Sequence, residues 1–228
     1  MAGRYHSPRR EDAAAATRAA ILEHARELFL ERGYAGTTVP EIAQAARVAT
    51  QTVYASVGGK AAMFAELLRP AINDPVAAEA MTEALRTDDP GRVMVLCAAG
   101  ARRGQERYWD IVYGLMRRPP EDVLAQQAIS NVAAKCLEAL TGIAQRLLDL
   151  GALKPGISLP RAVDTLWFYF GQNAWCSLVG DREWTFDRAE EWLREGASRD
   201  LLREAGPSGT DGPAVPGLPA GDDLRAPR

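Results

Sequence analysis

The stretch that most constrains this chain is residues 38–60, TVPEIAQAARVATQTVYASVGGK, which predicts two short helices joined by a tight turn. Thr38 stands three residues before Glu41, a capping-box pattern that starts a helix. Val53 and Val57 lie four residues apart, which places both on the inner face of the second helix. The stretch therefore predicts a helix-turn-helix unit, followed at once by the start of another helix.

The outer face of the second helix is polar and uncharged, with the side chains of Thr50, Gln51, Thr52, Tyr54 and Ser56. Hydroxyl and amide groups of this kind bond base edges and phosphate oxygens in a DNA major groove. The alternative is an ordinary solvated surface. Solvated helices, however, favour Glu, Lys and Arg, which are good helix formers and pair along the helix. The composition of this face therefore favours contact with DNA.

Residues 13–68 resemble the N-terminal DNA-binding domain of TetR-family transcriptional repressors. The likeness rests on Ile21, Ala25, Leu28, Phe29, Arg32, Gly33, Tyr34, Thr37, Thr38, Val39, Ile42, Ala43, Val48, Thr52, Val53, Tyr54 and Lys60. The decapeptide QTVYASVGGK is similar to the end of that family's recognition helix and the start of its fourth helix. The resemblance implies an N-terminal three-helix helix-turn-helix domain, followed by an all-helical regulatory and dimerisation domain.

Five positions depart from the family pattern, two of which are Ser56 and Val57, where the family commonly has His and Phe. The family usually has glycine where Arg47 stands, because the turn there favours positive φ. It often has a capping serine at the position of Ala49, so Thr50 is expected to cap the second helix instead. Many members carry a phosphate-binding arginine at the position of Pro40. These departures concern the phosphate contacts and the operator sequence rather than the fold.

The resemblance also implies roles for individual side chains in binding double-stranded DNA. We expect the groove contact to begin at Thr50, Gln51 and Thr52, and Ser56 to lie at its margin. Phosphates are expected to be held by Tyr54, Thr38 and Lys60. Lys60 falls in the first turn of a predicted helix, where a cation opposes the helix dipole, and a DNA phosphate would explain that placement.

The pattern of the whole chain predicts four segments. We expect a disordered arm over 1–11, a DNA-binding domain over 12–60, an effector-binding and dimerisation domain over 61–204, and a disordered tail over 205–228. The tail is rich in Gly and Pro, a composition that does not build a core. Helices are predicted over 12–31, 75–86, 92–118, 121–150, 160–179 and 186–202, and no strand alternation is sustained. The predicted class is therefore all-α.

The last two predicted helices and the loop that joins them are rich in aromatic side chains, namely Trp167, Phe168, Phe170, Trp175, Trp184 and Trp192. A single helical hairpin cannot bury so much aromatic surface, and protein interfaces are enriched in aromatic residues. The segment also resembles, more loosely, the helix pair through which TetR-family members dimerise. We expect a symmetric homodimer through these helices. The alternative, burial inside the same domain, remains open for Trp167 and Phe170.

Six side chains in the second domain are candidates for a ligand pocket: Trp109, Tyr113, Trp167, Tyr169, Gln172 and Asn173. Aromatic walls with a few polar groups suit a small apolar or aromatic effector. Plain core packing is the alternative for each residue.

Composition excludes several classes of function. There is no apolar run of 18 residues and no apolar signal core in MAGRYHSPRR, so we expect a cytoplasmic protein without a membrane segment. We find no nucleophile–base pairing, no metal-ligand cluster and no phosphate-binding glycine loop, and expect no enzyme, metal or cofactor. The distant cysteines Cys97, Cys136 and Cys176 favour buried free thiols, and a redox sensor is the alternative.

Charge adds modest support for DNA binding. Residues 1–60 carry eight Lys and Arg against six Asp and Glu, whereas the whole chain has a net charge of −3. Together with these patterns, the resemblance to the TetR family implies a homodimeric repressor that binds a palindromic operator and is released by an unknown small-molecule effector. The alternatives are a DNA-binding regulator controlled by a protein partner or by no ligand, and a helical-bundle enzyme.

Overall fold

Four helices form the N-terminal part of the protein in the computed structural model, which describes residues 8–117 and 119–204. They are α1 (Pro8–Arg32), α2 (Val39–Ala45), α3 (Thr50–Ser56) and α4 (Lys60–Ile72), and we call them the head. Gly33 ends α1 with φ of 76°, a left-handed conformation that glycine adopts freely, as predicted. The predicted helix-turn-helix unit is present as α2 and α3.

The first helix begins earlier than the sequence predicted. Residues 8–11 are helical rather than part of a disordered arm, because Pro8 is compatible with a first helical turn and the alanines that follow extend it. The rest of the predicted arm, residues 1–7, and the predicted tail, residues 205–228, lie outside the described residues.

The head packs around one aromatic group. Phe29 and Phe64 are fully buried, and their ring centroids lie 6.1 Å apart in an edge-to-face arrangement. Tyr34 covers both rings, at 5.4 Å from Phe29 and 5.3 Å from Phe64. The apolar faces of all four helices close around this group, with Ile21, Ala25, Ile42, Val53, Met63 and Leu68 each fully buried.

The rest of the described chain, residues 75–204, forms a second helical layer that we call the body. Its α-helices are α5 (Pro75–Arg86), α6 (Pro90–Arg107), α7 (Val123–Asp149), α8 (Leu159–Phe170), α9 (Gln172–Trp175) and α10 (Phe186–Leu201). Side chains cap most of their first turns, namely those of Asp74, Asp89, Asp122, Ser158 and Thr185. Within the described residues every regular element is helical, apart from a single antiparallel bridge between Leu153 and Leu202. The all-α prediction is confirmed.

Two of the predicted body helices are interrupted. The helix predicted over 92–118 ends at Arg107 and continues as a wider π-helical segment, Asp110–Met116. The helix predicted over 160–179 breaks at Gly171, which is extended with ψ of 158°, before α9 and a second π-helical segment, Cys176–Asp181. Gly180, in the second π-helical segment, lies so close to the ring of Tyr113 that a side chain there would overlap it.

The head and the body share buried surface. The head's cluster continues into the first π-helical segment through Ile111, Val112, Leu115 and Met116, and into α7 through Ala125 and Ala128. A second cluster fills the body around Leu166, Phe170 and Trp175. The domain boundary predicted at residue 60 therefore lies inside a continuous packed region. No helix among the described residues is long and apolar enough to cross a membrane.

Candidate functional site

The capping box at the start of α2 is formed as the sequence predicted. The Thr38 hydroxyl donates to Glu41 Oε2 at 2.7 Å and accepts from the backbone N–H of Glu41 at 3.4 Å. The same carboxylate accepts from the backbone N–H of Thr38 at 2.8 Å. Hydrogen bonds from the Thr38 hydroxyl and backbone hold the pKa of Glu41 below its usual range. Thr38 is exposed, so its remaining acceptor capacity faces solvent at the edge of the head.

The start of α3 differs from the sequence prediction. Ala49 is the N-cap residue, in an extended conformation with φ of −69° and ψ of 145°, and no side chain bonds to the free amides there. Thr50 is already inside the helix, so the expectation that it caps α3 is wrong. The chain reaches the helical conformation only after Ala49, which places the Thr50 side chain on the helix wall.

Helix α3 buries one side chain and has a polar outer face. Val53 is fully buried against the head's core. Gln51 and Thr52 are exposed, Tyr54 is 56% exposed, and Thr50 and Ser56 are partly buried. None of these five side chains hydrogen-bonds to a described residue. A row of unpaired hydroxyl and amide groups on one short helix offers donors and acceptors to an external partner.

Lys60 has partners inside the head that the sequence analysis did not foresee. Its ammonium group donates to the backbone oxygens of Tyr34 at 2.8 Å and Thr37 at 3.0 Å. It also lies 4.3 Å from the centre of the Tyr34 ring. These contacts explain a cation at the start of α4 without any DNA phosphate. Because an ammonium has three donors, at most one remains for a phosphate, and that role stays a prediction.

The head is joined to the body by polar contacts. The Tyr34 hydroxyl donates to Asp122 Oδ2 at 3.0 Å, and Arg26 pairs with Asp110 of the first π-helical segment. Burial and the hydrogen bond to Asp122 raise the pKa of Tyr34. Bonds from the backbone of Ala125 and from Tyr34 lower the pKa of Asp122. Asp122 thus ties the first turn of α7 to the head.

Three of the six predicted ligand residues lie together at a cleft on the body. Trp167, Gln172 and Asn173 line a cleft of about 410 Å³, between the end of α8, the start of α9 and α10. The sequence analysis of ligand residues missed Phe168 and Trp192 in this cleft, although their aromatic spacing had marked them for an interface. Both are well exposed, at 71% and 50% respectively.

The other three predicted ligand residues are elsewhere and have partners of their own. Trp109 and Tyr113 stack on each other at 5.1 Å with an interplanar angle of 7°, and Phe186 packs edge-on against Trp109. The Tyr169 hydroxyl donates to Asp200 at 2.7 Å. The structure therefore does not bring the six residues to one pocket, because Trp109, Tyr113 and Tyr169 each pack or bond within the body.

The three cysteines are free thiols in protected surroundings. Burial raises the pKa of Cys97 to about 12 and that of Cys136 to about 11, and it also raises the pKa of Cys176. A thiol held protonated is a poor nucleophile and resists oxidation. The structure favours packing roles over redox sensing.

Comparison with known proteins agrees with this arrangement. The sequence profile of the bacterial regulatory proteins of the tetR family matches residues 21–67, which cover α2, α3 and the parts of α1 and α4 that pack on them. The crystal structure of NalD from Pseudomonas aeruginosa, the secondary repressor of the MexAB-OprM multidrug efflux pump, is 30% identical in sequence. The superposition covers 85% of this chain and 99% of NalD, with a TM-score of 0.69.

Two further comparisons complete this picture. A second NalD structure, of the native protein, is 28% identical over 84% of this chain and 99% of NalD, with a TM-score of 0.70. FadR from Bacillus subtilis, solved with stearoyl-CoA, shares the fold, at 17% identity over 80% of this chain and 98% of FadR, with a TM-score of 0.65. None of the curated proteins matches this sequence.

Proposed function

Because the chain belongs to the tetR family of bacterial regulatory proteins and is a DNA-binding transcriptional regulator, we propose that it acts as a homodimeric repressor. In this proposal the dimer binds a palindromic operator in the cytoplasm and is released from it by a small-molecule effector, without any catalysis. The observation that carries the proposal is the outer face of α3. NalD, a repressor of similar sequence, supports repression as the direction of control.

DNA recognition is assigned to the exposed part of α3. Gln51 and Thr52 are exposed, carry both donors and acceptors, and have no partner among the described residues. They are suited to base edges, and Thr50 stands beside them at the first position of the helix. Tyr54 is exposed two residues further on, and in this proposal its phenol binds a phosphate. Ser56 and Thr38 are proposed as further contacts at the margin of the DNA, and Lys60 has at most one donor left for a phosphate.

Dimerisation is assigned to α8 and α10. Phe168 and Trp192 leave large aromatic surfaces in solvent, and the rings of Trp184 and Trp192 lie edge to face at 6.1 Å. Aromatic side chains concentrated on two neighbouring helices match the anchors of a protein interface. A twofold dimer would present two copies of α3 to half-sites roughly 34–36 Å apart, or slightly more.

Effector control is assigned to the body. The cleft lined by Trp167, Gln172 and Asn173 combines an apolar floor with amide groups, which suits a small apolar or aromatic compound. An effector that binds better to a form of the dimer with more widely spaced heads increases the population of that form. It thereby decreases the population of the form that binds DNA. The contacts of Tyr34 and Arg26 with the body would transmit that change.

A ligand-independent regulator, or one controlled by a protein partner, is the second candidate. The observation that favours it is the stacked pair Trp109 and Tyr113, which fills the space between the first π-helical segment and α10 with its own aromatic rings. The cleft near Trp192 also lies on the surface assigned to the dimer. A second copy of the chain could occupy it in place of an effector.

The experiment is selection of bound duplexes from a random DNA pool at fixed salt, using the full-length protein of defined oligomeric state. Enrichment of a palindrome is expected. Gln51→Ala should relax preference at one position of each half-site, by roughly 1–3 kcal/mol. Tyr54→Phe should weaken binding to all DNA sequences alike, since a phosphate contact carries no base information. Gln145 is an exposed glutamine on α7, so Gln145→Ala is the matched control. It should change neither the base preference nor the affinity for DNA.

The outcomes separate the assignments. An unchanged sequence preference for Gln51→Ala would contradict its role at the bases. A changed preference for Tyr54→Phe would contradict its role at a phosphate. If a well-folded dimer enriches no sequence, the operator-binding proposal fails as a whole.

A further inference from the structure

The turn between α2 and α3 holds an arginine in an unfavourable backbone conformation. Arg47 has φ of 56°, in the left-handed region where a side chain crowds the following carbonyl. Elsewhere in the head the chain places glycine at such positions, namely Gly33 and Gly58 with φ of 76° and 103°. Glycine would fit the turn without strain, so the presence of arginine there calls for a compensating role.

The compensation is not found inside the described chain. Arg47 is exposed, and its guanidinium group makes no hydrogen bond, ion pair or ring contact with any residue of 8–117 or 119–204. Its neighbours in the head behave differently. Arg18 pairs with Glu66 at 3.0 Å, Arg32 pairs with Glu41 at 3.3 Å, and Lys60 is bound to two carbonyls.

The position of Arg47 indicates what it binds. It precedes Ala49, the N-cap of α3, by two residues, so it stands beside the end of the helix that carries Gln51 and Thr52. In helix-turn-helix proteins the N-terminal residues of the second helix reach base edges, which brings the preceding turn close to the sugar–phosphate backbone. A guanidinium group binds phosphate oxygens through two parallel donors, better than any other side chain.

We infer that Arg47 binds a DNA backbone phosphate beside α3, and that this contact offsets the strain of the turn. The inference rests on the proposed DNA-binding function and adds one residue to it. It makes an unusual prediction, because removing the side chain should improve the fold and impair binding. A residue with a purely structural role would change both properties in the same direction.

The test is Arg47→Gly in the full-length protein, with a duplex taken from the pool selection. The melting temperature should rise, since glycine adopts the left-handed conformation freely. Affinity should fall on the order of tenfold for the loss of a charge-assisted hydrogen bond. The slope of log affinity against log salt concentration should become shallower by about 1 for each half-site. Arg47→Lys, which keeps the charge, should retain the salt slope.

Two control variants isolate strain and charge. Glu183 in the body has a similar φ of 55°, so Glu183→Gly should raise the melting temperature without changing DNA affinity. Arg103 is exposed on α6, so Arg103→Ala removes one positive charge far along the chain from α3 and should leave the salt slope unchanged.

Each outcome decides the inference. Unchanged affinity and salt slope in Arg47→Gly overturn it, as does a fall in melting temperature parallel to the loss of binding. A changed base preference overturns the phosphate assignment in favour of base reading. A wild-type dimer that binds no duplex contradicts the proposed function, and the role of Arg47 then fails with it.

Discussion

The head buries its central aromatic group, whereas the body, besides the buried rings of Phe170 and Trp175, leaves two large aromatic rings exposed. In the head, Phe29 and Phe64 are fully buried against each other, and Tyr34 closes the group. In the body, Phe168 and Trp192 are left largely in solvent on neighbouring helices. The head therefore satisfies its apolar surface within one chain, whereas the body presents a surface that suits a second molecule. The core of the head is therefore complete within one copy of the chain. The exposed aromatic surface of the body would be covered only in the proposed dimer.

Backbone regularity follows the same division. The four helices of the head are regular α-helices, but the body contains two π-helical segments, Asp110–Met116 and Cys176–Asp181. The segments meet where Arg117 and Tyr113 both bond Asp181, at 2.6 Å and 3.2 Å. Wider turns of this kind are frequent at functional sites and hinges. The first of them also contacts the head, through the pair of Asp110 with Arg26.

The largest expected effect compares a buried with an exposed ring. Phe64→Ala should lower the free energy of unfolding by about 3–5 kcal/mol, because it empties the centre of the head's core. Phe168→Ala should change the free energy of unfolding of the subunit by less than about 0.5 kcal/mol, but it should weaken self-association. Urea unfolding and sedimentation equilibrium measure the two quantities. If Phe168→Ala destabilises the fold and leaves association intact, the body's aromatic surface has been assigned wrongly.

An intermediate effect concerns the packing of the two π-helical segments. Gly180→Ala should destabilise the protein by about 1–3 kcal/mol, since the new methyl group overlaps the ring of Tyr113. Gly104→Ala is the matched control, because a methyl group there meets no atom within 4 Å. It should stabilise α6 by up to about 1 kcal/mol. Thermal unfolding of both variants checks the contrast, and equal effects would show that the contact at Gly180 is unimportant.

The smallest effect tests the junction between head and body through pH. The pKa of Asp122 is lowered in the folded protein, so its contribution to stability is fully present above the ordinary aspartate pKa and is lost as the pH falls through the folded value. Asp122→Asn keeps an N-cap for α7 but removes the charge that Tyr34 bonds. The variant should therefore be slightly less stable at neutral pH.

The difference from wild type should shrink on acidification. Melting temperatures measured from neutral pH down past the usual aspartate range check this. A gap that stays constant with pH would mean that the Asp122 charge contributes nothing to the junction.

Local patterns predicted much of the head correctly. The capping box of Thr38 and Glu41, the buried Val53 and the polar outer face of α3 all follow from contacts within a few residues along the chain. The positive φ at Arg47 was likewise expected, on the family's preference for glycine there. The cap of α3 was predicted wrongly, because the residue at which a helix starts depends on how the preceding turn is packed.

In the body, the sequence indicated which aromatic and amide residues to consider for a ligand pocket, but not which of them lie together. Six ligand residues were predicted as one group, yet Trp167, Gln172 and Asn173 line the cleft while Trp109 and Tyr113 stack elsewhere. Periodicity places residues on faces of one helix and gives no information on where that helix ends in space. The break at Gly171 and the π-helical segments therefore could not be read from it.

The sequence by itself determined the helical class, the helix-turn-helix unit and the family, because caps, periodicity and the α3 face are short-range properties. Only the tertiary structure decided that Lys60 bonds the carbonyls of Tyr34 and Thr37, that Asp122 holds the head to α7, and that Phe168 and Trp192 stay exposed. These features join residues tens of positions apart. Their formation depends on how whole helices pack, which no local pattern encodes.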